Sequence, residues 1–274
     1  MIDIMSFHWF KAIFEHQKKS ALRKTLIVAY SILFLFFHLQ SNAQQTRKSG
    51  WVMSMNTFKL NEKFTLFFDA QLRSNDNWTQ TETFIFRPAI GYALNKQTTI
   101  SLGFALVTNW REMAFADPAV NIIKTIRDGV SDNRIWQQLI VNKSYGNSSL
   151  QHRLRLEERL LGTLTTDGEE IIKKNPKLNA RFRYFTRWIK PFSTKTKFQK
   201  GVYGTLQNEF FFNTLGAQYA NNKLFDQSRT YAGLGYRIKK EIDIEIGYML
   251  QVAVPQNGSN TQNHIAQITT FLRL

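Results

Sequence analysis

The chain has 274 residues, with 36 lysines and arginines against 20 acidic residues, a formal net charge of +16, and no cysteine. The missing cysteine excludes a disulfide framework, a thiolate zinc site, a cysteine nucleophile and an acylated lipoprotein cysteine. A basic chain can bind nucleic acid through phosphate contacts. Here the charges are scattered singly through strand-like segments and form no basic helix or run, so we expect no nucleic-acid partner.

The first 43 residues have the pattern of a secretory signal. Arg23 and Lys24 precede an apolar run over residues 26–39, and Ser-Asn-Ala-Gln at 41–44 places small residues before a cut after Ala43. The run is shorter than the roughly 20 residues of a typical membrane helix. We therefore predict a signal peptide with an extended basic region at 1–43 and an exported domain at 44–274, with an uncleaved anchor as the alternative.

From residue 50 onward, apolar and polar side chains alternate with a period of two, which is typical of β-strands with one apolar face. In the clearest segment, Ile242 and Ile244 share one face while Asp243 and Glu245 share the other. The predicted strands are 51–58, 63–73, 82–94, 98–110, 132–145, 149–161, 177–190, 201–214, 227–238, 241–253 and 262–274. Most exceed the about 5–6 residues common in globular strands and suit a tilted membrane strand of about 9–11 residues.

The connections alternate between short and long, as in outer-membrane barrels. Short turns are predicted near 61–62, 95–96, 146–148, 191–192 and 239–240. Long loops are predicted at 74–81, 111–131, 162–176, 215–226 and 255–261. The longest loop and its flanks carry apolar side chains that predict a packed loop with a helical turn: Trp110, Phe115, Val120, Ile122 and Ile123.

The number of strands presents a difficulty, because an odd number cannot close in a purely antiparallel barrel. Either 51–58 lies outside a barrel of ten strands, or one further strand completes a barrel of twelve. We therefore predict an all-β fold, an antiparallel up-and-down transmembrane β-barrel of ten to twelve strands.

Charged residues occupy the face opposite the apolar one. In a membrane barrel this face lines the interior, whereas in a soluble sandwich it meets water. The predicted lumen-facing charge network is Asp69, Arg73, Arg87, Arg153, Arg155, Glu157, Arg181, Arg183, Arg187, Glu209, Arg229, Arg237, Asp243 and Glu245. Such rings can set ion selectivity, but a narrow barrel can also be filled by paired side chains. The sequence is compatible both with a small anion-preferring pore and with a closed interior.

Aromatic residues often fall near the ends of the predicted strands, where a membrane barrel carries interfacial girdles. The expected girdle residues are Trp51, Trp78, Trp110, Trp136, Tyr145, Trp188, Tyr236 and Tyr248. Gly233 and Gly235 lie within a strand and are expected to permit close packing rather than to bind a nucleotide.

The exported part contains two histidines, His152 and His264, as candidates for a catalytic base. An enzyme acting on lipid or lipopolysaccharide would place such a histidine beside serine or a carboxylate. An imidazole on the apolar face near the membrane interface needs no catalytic role, so we expect no catalytic residue, cofactor or metal site and a protein that is not an enzyme.

Several strand-length stretches also resemble a known family: Trp51 with the turn at 59–60, Leu-Glu-Glu-Arg at 156–159, Arg-Phe-Arg-Tyr at 181–184, Asn-Glu-Phe-Phe at 208–211, and the segments 229–237 and 264–274. Together they are similar to a family of Gram-negative outer-membrane β-barrels catalogued as a domain of unknown function (2490-type). The resemblance covers nearly all of the exported part. It implies a fold and a location in the cell outer membrane, and no site residues.

The function predicted from these observations is a structural or surface role in the outer membrane, with a narrow anion-preferring pore as its extension. The expected partners are outer-membrane lipid, lipopolysaccharide and the barrel-assembly machinery. The alternatives are a barrel enzyme that modifies lipid or lipopolysaccharide and a periplasmic β-sandwich binding protein.

Overall fold

The structure, a computed structural model, describes residues 43–117, 122–166, 171–193 and 198–274. The strands are β1 (Ala43–Lys59), β2 (Phe64–Ser74), β3 (Thr81–Ala93), β4 (Thr98–Asp117), β5 (Ile122–Tyr145), β6 (Ser148–Thr166), β7 (Ile171–Pro191), β8 (Gly201–Leu215), β9 (Phe225–Lys239), β10 (Ile242–Ala253) and β11 (Asn260–Arg273). Single 3₁₀ turns lie at Asp76–Trp78 and Ala217–Tyr219. The described residues contain no helix long and apolar enough to cross a membrane. The predicted signal peptide lies outside them apart from Ala43.

The eleven strands form one closed barrel in which each strand pairs with its neighbours in the chain. These neighbouring pairs are antiparallel, and the barrel closes where β1 pairs in parallel with β11, with Gly50 opposite Ala266. All eleven predicted strands are present, and the all-β barrel is confirmed. The even number expected from antiparallel closure is not found, because one parallel pair allows an odd number of strands to close.

Two predicted long loops are wrong, because the chain continues as strand there. Residues 108–117 of β4 pair with 122–131 of β5, and residues 163–166 of β6 pair with 171–174 of β7. A hairpin that projects into water needs no apolar face, since its strands satisfy each other's backbone groups. The alternation used to find strands therefore fades although the strands continue.

The packed loop with a helical turn predicted around Phe115 is likewise replaced by strand, as far as the chain is described there. Val120 lies outside the described residues. At the opposite end of the barrel, β7 ends at Pro191 and β8 begins at Gly201, so the turn predicted at 191–192 is longer than expected.

The outer surface of the barrel is rich in exposed aliphatic side chains. They stand on the phase opposite the charged residues: Val52, Leu72, Ile90, Leu102, Leu106, Ile135, Leu160, Leu206, Leu234, Ile246 and Ile268 are each about half exposed. A water-soluble protein seldom exposes so large an apolar surface. The polar and charged side chains of the spanning strands lie mainly inside, which is the arrangement of a barrel whose exterior meets lipid.

Two of the predicted girdle residues are misplaced. Trp51 and Trp136 are buried inside the barrel, where they are 5% and 3% exposed. The sequence pattern placed both near strand ends, but β1 begins at Ala43 and β5 begins at Ile122, so each indole lies well within its strand. Trp188 and Tyr236 face outward as expected.

Interior aromatic rings lie against glycines of the same strand or of a neighbouring strand. A Cβ atom at Gly235 would overlap the ring of Tyr203, and one at Gly233 would stand 2.7 Å from Cζ of Tyr231. Both tyrosines are almost fully buried. The glycines therefore permit close packing inside the barrel, as expected from their place in a strand.

Candidate functional site

The interior of the barrel holds the charged side chains, and the structure places all fourteen predicted network residues there. Neighbouring strands pair so that residues of the same phase stand side by side, as with Glu157 opposite Arg181 and Arg155 opposite Arg183. Successive strands thus bring charges that are far apart in sequence to a common height. The charged interior is the candidate site.

Glu157 on β6 is the centre of the densest part of this interior. It is fully buried and forms salt bridges with Arg181 at 2.9 Å, Arg134 at 3.4 Å and Arg155 at 3.6 Å, and a further one with Arg183. A carboxylate buried without partners would be strongly destabilising. Four arginines compensate this one, so Glu157 ties β5, β6 and β7 together from within.

Asp132 is a second shared carboxylate that the sequence analysis missed. Its Oδ2 lies 2.6 Å from both Arg134 and Arg159, neither of which was in the predicted network. Arg159 has the same phase as Arg155 and Glu157, so alternation alone could have found it. Asp132 and Arg134 likewise share the inward phase of β5 with Trp136.

Further pairs cross the interior between strands that are not adjacent. Glu209 on β8 accepts from Arg153 on β6 at 2.7 Å, in addition to the bond that it accepts from Arg183 on the adjacent strand β7. Arg187 on β7 reaches Glu245 on β10 at 2.6 Å. These bridges span two or three strands, so they occupy the lumen instead of lying along its wall.

Aromatic rings separate some of the guanidinium groups. Phe211 has the guanidinium carbons of Arg181, Arg183 and Arg229 within 4.9 Å of its ring centre. Stacking on a ring face stabilises a cation that has left water. Arg183 is 4% exposed. At mid-height the lumen is therefore narrowed by a belt of arginines, carboxylates and rings.

The loop end of the barrel is held by amides and one additional acid. Asn213 donates to Asn221 at 2.8 Å, and Asn221 donates to the carbonyl of Val254. Asp226, which the sequence analysis placed at the end of the predicted loop 215–226, binds Arg181 at 2.8 Å. These bonds fix the β8–β9 loop against the β10–β11 loop.

On the turn side of the belt lies a cavity of about 360 Å³. Among the described residues that line it, eight are arginines and two, Asp69 and Glu209, are carboxylates. Other parts of the wall are amides and apolar side chains such as Met53 and Ile189. The cavity therefore presents a net positive surface, which is complementary to small anions.

Both candidate catalytic histidines lie on the outer surface, away from this interior. His152 Nδ1 is 2.9 Å from the hydroxyl of Tyr184, and His264 Nδ1 is 2.6 Å from the hydroxyl of Tyr248. Each tyrosine belongs to the adjacent strand. The described residues contain no cluster of three metal-ligating side chains. The chemistry that the interior offers is electrostatic binding of anions by guanidinium groups.

One relative and two solved structures are similar to this chain. An uncharacterized protein of Methylorubrum extorquens is 22% identical over 256 residues, which cover 92% of this chain and 99% of the relative. The NanC porin is 11% identical, with a TM-score of 0.49 over 82% of this chain and 98% of the porin. The β-domain of the Bordetella autotransporter Brka is 8% identical, with a TM-score of 0.45 over 78% and 83%.

The family comparison agrees with the resemblance found in the sequence. The model described as "Protein of unknown function (DUF2490)" matches residues 48–263, which is most of the chain. The chain therefore belongs to the DUF2490 family.

Proposed function

We propose that this protein is an outer-membrane β-barrel whose interior admits small anions from the turn side and passes them slowly through the arginine belt. The observation that carries the proposal is the charge of the cavity wall, with eight arginines against two carboxylates. Arginine-lined constrictions favour anions over cations. The narrowness of the belt limits the rate.

The location in the outer membrane rests on the surface of the barrel. The outward phase of the strands is apolar and exposed, and the inward phase carries the charges. Apart from β2, the strands run from 12 to 24 residues, long enough for a tilted strand to cross a bilayer. Membership of DUF2490 and the predicted export signal are consistent with this location.

The second candidate is a closed barrel with a structural or surface role. It is favoured by the full burial of Glu157 and by the salt bridges that cross the lumen, such as Arg187 with Glu245. Small barrels are commonly filled by their own side chains. In that case the cavity would be a dead end.

Membrane location is tested by fractionation of cells that express the full chain. We expect the protein in the detergent-extracted outer membrane, migrating differently on a gel before and after boiling because a folded barrel resists the detergent. Release by osmotic shock without any shift on boiling would contradict the location and favour a periplasmic protein.

Anion preference is tested in planar lipid bilayers with a KCl gradient across the membrane. We expect small currents whose reversal potential moves towards the equilibrium potential of chloride. Gln138→Glu should reduce this preference, since it places a carboxylate on the cavity wall beside Arg155, which already donates to Gln138. Gln97→Glu, in an exposed turn, is the matched control. Absence of current would favour the closed barrel, and a shift towards potassium would contradict the proposal.

A further inference from the structure

The nine predicted lumen arginines divide into two groups. Seven have a carboxylate oxygen within 4.0 Å: Arg87, Arg153, Arg155, Arg181, Arg183, Arg187 and Arg237. Arg73 and Arg229 form no salt bridge within the described part of the chain. Arg73 donates to an amide, Oε1 of Gln71 at 2.7 Å.

The two unpaired arginines meet at the same ring. The guanidinium carbon of Arg73 lies 3.8 Å from the centre of the Trp51 ring, and that of Arg229 lies 4.9 Å from it. Arg73 belongs to β2, which is adjacent to β1, and Arg229 belongs to β9, which is separated from β1 by β10 and β11. Both guanidinium carbons thus lie within 4.9 Å of one ring centre. Two like charges are therefore held together without a common counter-ion from the described chain.

The carboxylates nearest to the two arginines are engaged elsewhere. Glu209 stands opposite Arg229 in the β8–β9 ladder but forms its salt bridges with Arg153 and Arg183. Beside Trp51 the interior is apolar, formed by Tyr231, Met249 and Ile265. The nearby Asp69 is taken by Arg87 at 2.9 Å. Gln71, which lies between Asp69 and Arg73, contributes an amide where a carboxylate would have neutralised the charge.

Both arginines have hydrogen-bonding capacity left over. The Nε atoms of Arg73 and Arg229 are buried and have no hydrogen-bond partner among the described residues. The Nε atom of Arg153 is also unpartnered, but Arg153 has Glu209 as its counter-ion. A buried donor without a partner costs free energy, and a buried charge without a counter-ion costs more. Both side chains also line the 360 Å³ cavity, so a solute there can reach them.

We propose that Arg73 and Arg229, stacked on Trp51, form a specific binding site for one oxyanion group, a carboxylate or a phosphate, of a small acidic solute. Guanidinium groups bind such groups through paired hydrogen bonds to two oxygens. The cavity has the volume of a small-molecule pocket. This inference rests on the proposed entry of anions into the cavity, and it names where the anion stops.

The site is tested by titration calorimetry of the refolded full chain in detergent, with inorganic phosphate in one arm and citrate in the other. We expect saturable binding of at least one of them. Arg73→Gln or Arg229→Gln should weaken it about tenfold, the loss expected when a hydrogen bond to a charged group is removed. The double variant should show no saturable heat. Binding of phosphate alone or of citrate alone distinguishes the two oxyanion chemistries.

Arg153→Gln is the matched control, because it removes an arginine from the same cavity while Glu209 keeps Arg183 as its partner. The affinity of this variant for the anion should stay within about threefold of that of the unmodified protein, because Glu209 already neutralised the lost charge. Equal weakening by Arg153→Gln would show a general charge effect and overturn the specific site. Migration before and after boiling shows whether each variant has folded.

The two proposals fail in different ways. Saturable binding in a protein without current would keep the site and reject the pore. Anion-selective current without saturable binding of either probe would keep the pore and reject the site. If the unmodified protein binds and the double variant binds equally well, the anion lies elsewhere in the cavity and the inference is wrong.

Discussion

Two walls of the barrel interior differ in whether their arginines are paired with carboxylates. On the wall of β5 to β8, Glu157 and Glu209 each contact two or more arginines, and the side chains are almost fully buried. On the second wall, formed around Trp51 of β1 by Arg73 of β2 and Arg229 of β9, neither arginine forms a salt bridge with a carboxylate of the described residues. The first wall binds its charges internally, whereas the second leaves them available.

The difference shows that the number of arginines in a lumen does not by itself identify which of them can bind an external anion. A buried charge that is fully paired contributes to one defined structure and is a poor binding group. An arginine stacked on an aromatic ring keeps most of its N–H donors free, so these donors can bind an external ligand. If the two walls differ in this way, substitutions of their charged residues should change the free energy of unfolding in opposite directions.

Glu157→Gln should be the most damaging single substitution. The shape of the side chain is kept, but up to four arginines lose their shared counter-ion in a buried place. Removing one partner of a buried ion pair costs about 3 to 5 kcal/mol. The free energy of unfolding, measured by urea titration of the refolded barrel, should fall by this amount.

Glu158→Gln is the control for that measurement. Glu158 follows directly in the chain but points to the outer surface, where it accepts from Gln137 at 3.3 Å. Its substitution should change the free energy of unfolding by less than about 1 kcal/mol, as for exposed pairs. Equal losses from both substitutions would mean that the Glu157 wall is not held by its charges.

The double substitution of Arg73 and Arg229 by glutamine should have the opposite sign to Glu157→Gln. It removes two charges that repel each other and are paired with no described carboxylate, while it sacrifices their stacking on Trp51. We expect a free energy of unfolding that is unchanged or higher by about 1 kcal/mol, measured in anion-free buffer. A fall of several kcal/mol would mean that this wall is as structural as the other.

The smallest effect is expected outside the membrane-spanning part, between the two hairpin extensions. Asp128 on β5 and Lys173 on β7 form a salt bridge at 3.0 Å. The hydrogen bond from Lys173, followed by that from the backbone N–H of Gly129, lowers the pKa of Asp128. The side chain of Lys173 is 61% exposed and that of Asp128 is 35% exposed. Water therefore screens the pair, and Asp128→Asn should lower the free energy of unfolding by no more than about 0.5 kcal/mol at pH 7.

The pH dependence of that contribution has a defined sign. Because the carboxyl pKa is lower in the folded protein, the stabilisation is present above about pH 4, the ordinary range of aspartate. It is lost as the pH falls through the folded pKa. The difference between unmodified protein and Asp128→Asn in urea titrations should therefore vanish in strong acid. A difference that grows on acidification would contradict the assigned ion pair.

The phase of the strands could be predicted from the sequence, because alternation is a local property. Arg181 and Arg183 stand on the same face wherever β7 lies in the barrel, and the same holds for Glu157 and Arg159 on β6. Height within the barrel is not local. Trp51 was expected at a membrane interface, but the strand begins eight residues before it, where no apolar alternation marks the start.

Pairing across the lumen could not be predicted for the same reason. Arg187 meets Glu245, and Arg229 meets Trp51, only because a closed barrel of eleven strands brings distant walls within reach. That number in turn depends on β1 and β11 lying parallel, which the alternation of neither strand indicates. The sequence therefore predicts which charges are inside, but not which of them are neutralised.

The parallel contact between β1 and β11 also determines how the barrel must assemble. Its paired residues, such as Trp51 and Gln267, are more than 200 positions apart in the chain, and the end of β11 is further joined to β1 by Leu274 and Thr57. Contacts between such distant residues form slowly, because a long loop must close first. The barrel can therefore close only after β11 has been made. We expect refolding to finish with a slow step in which β1 and β11 pair, because this step needs both ends of the chain.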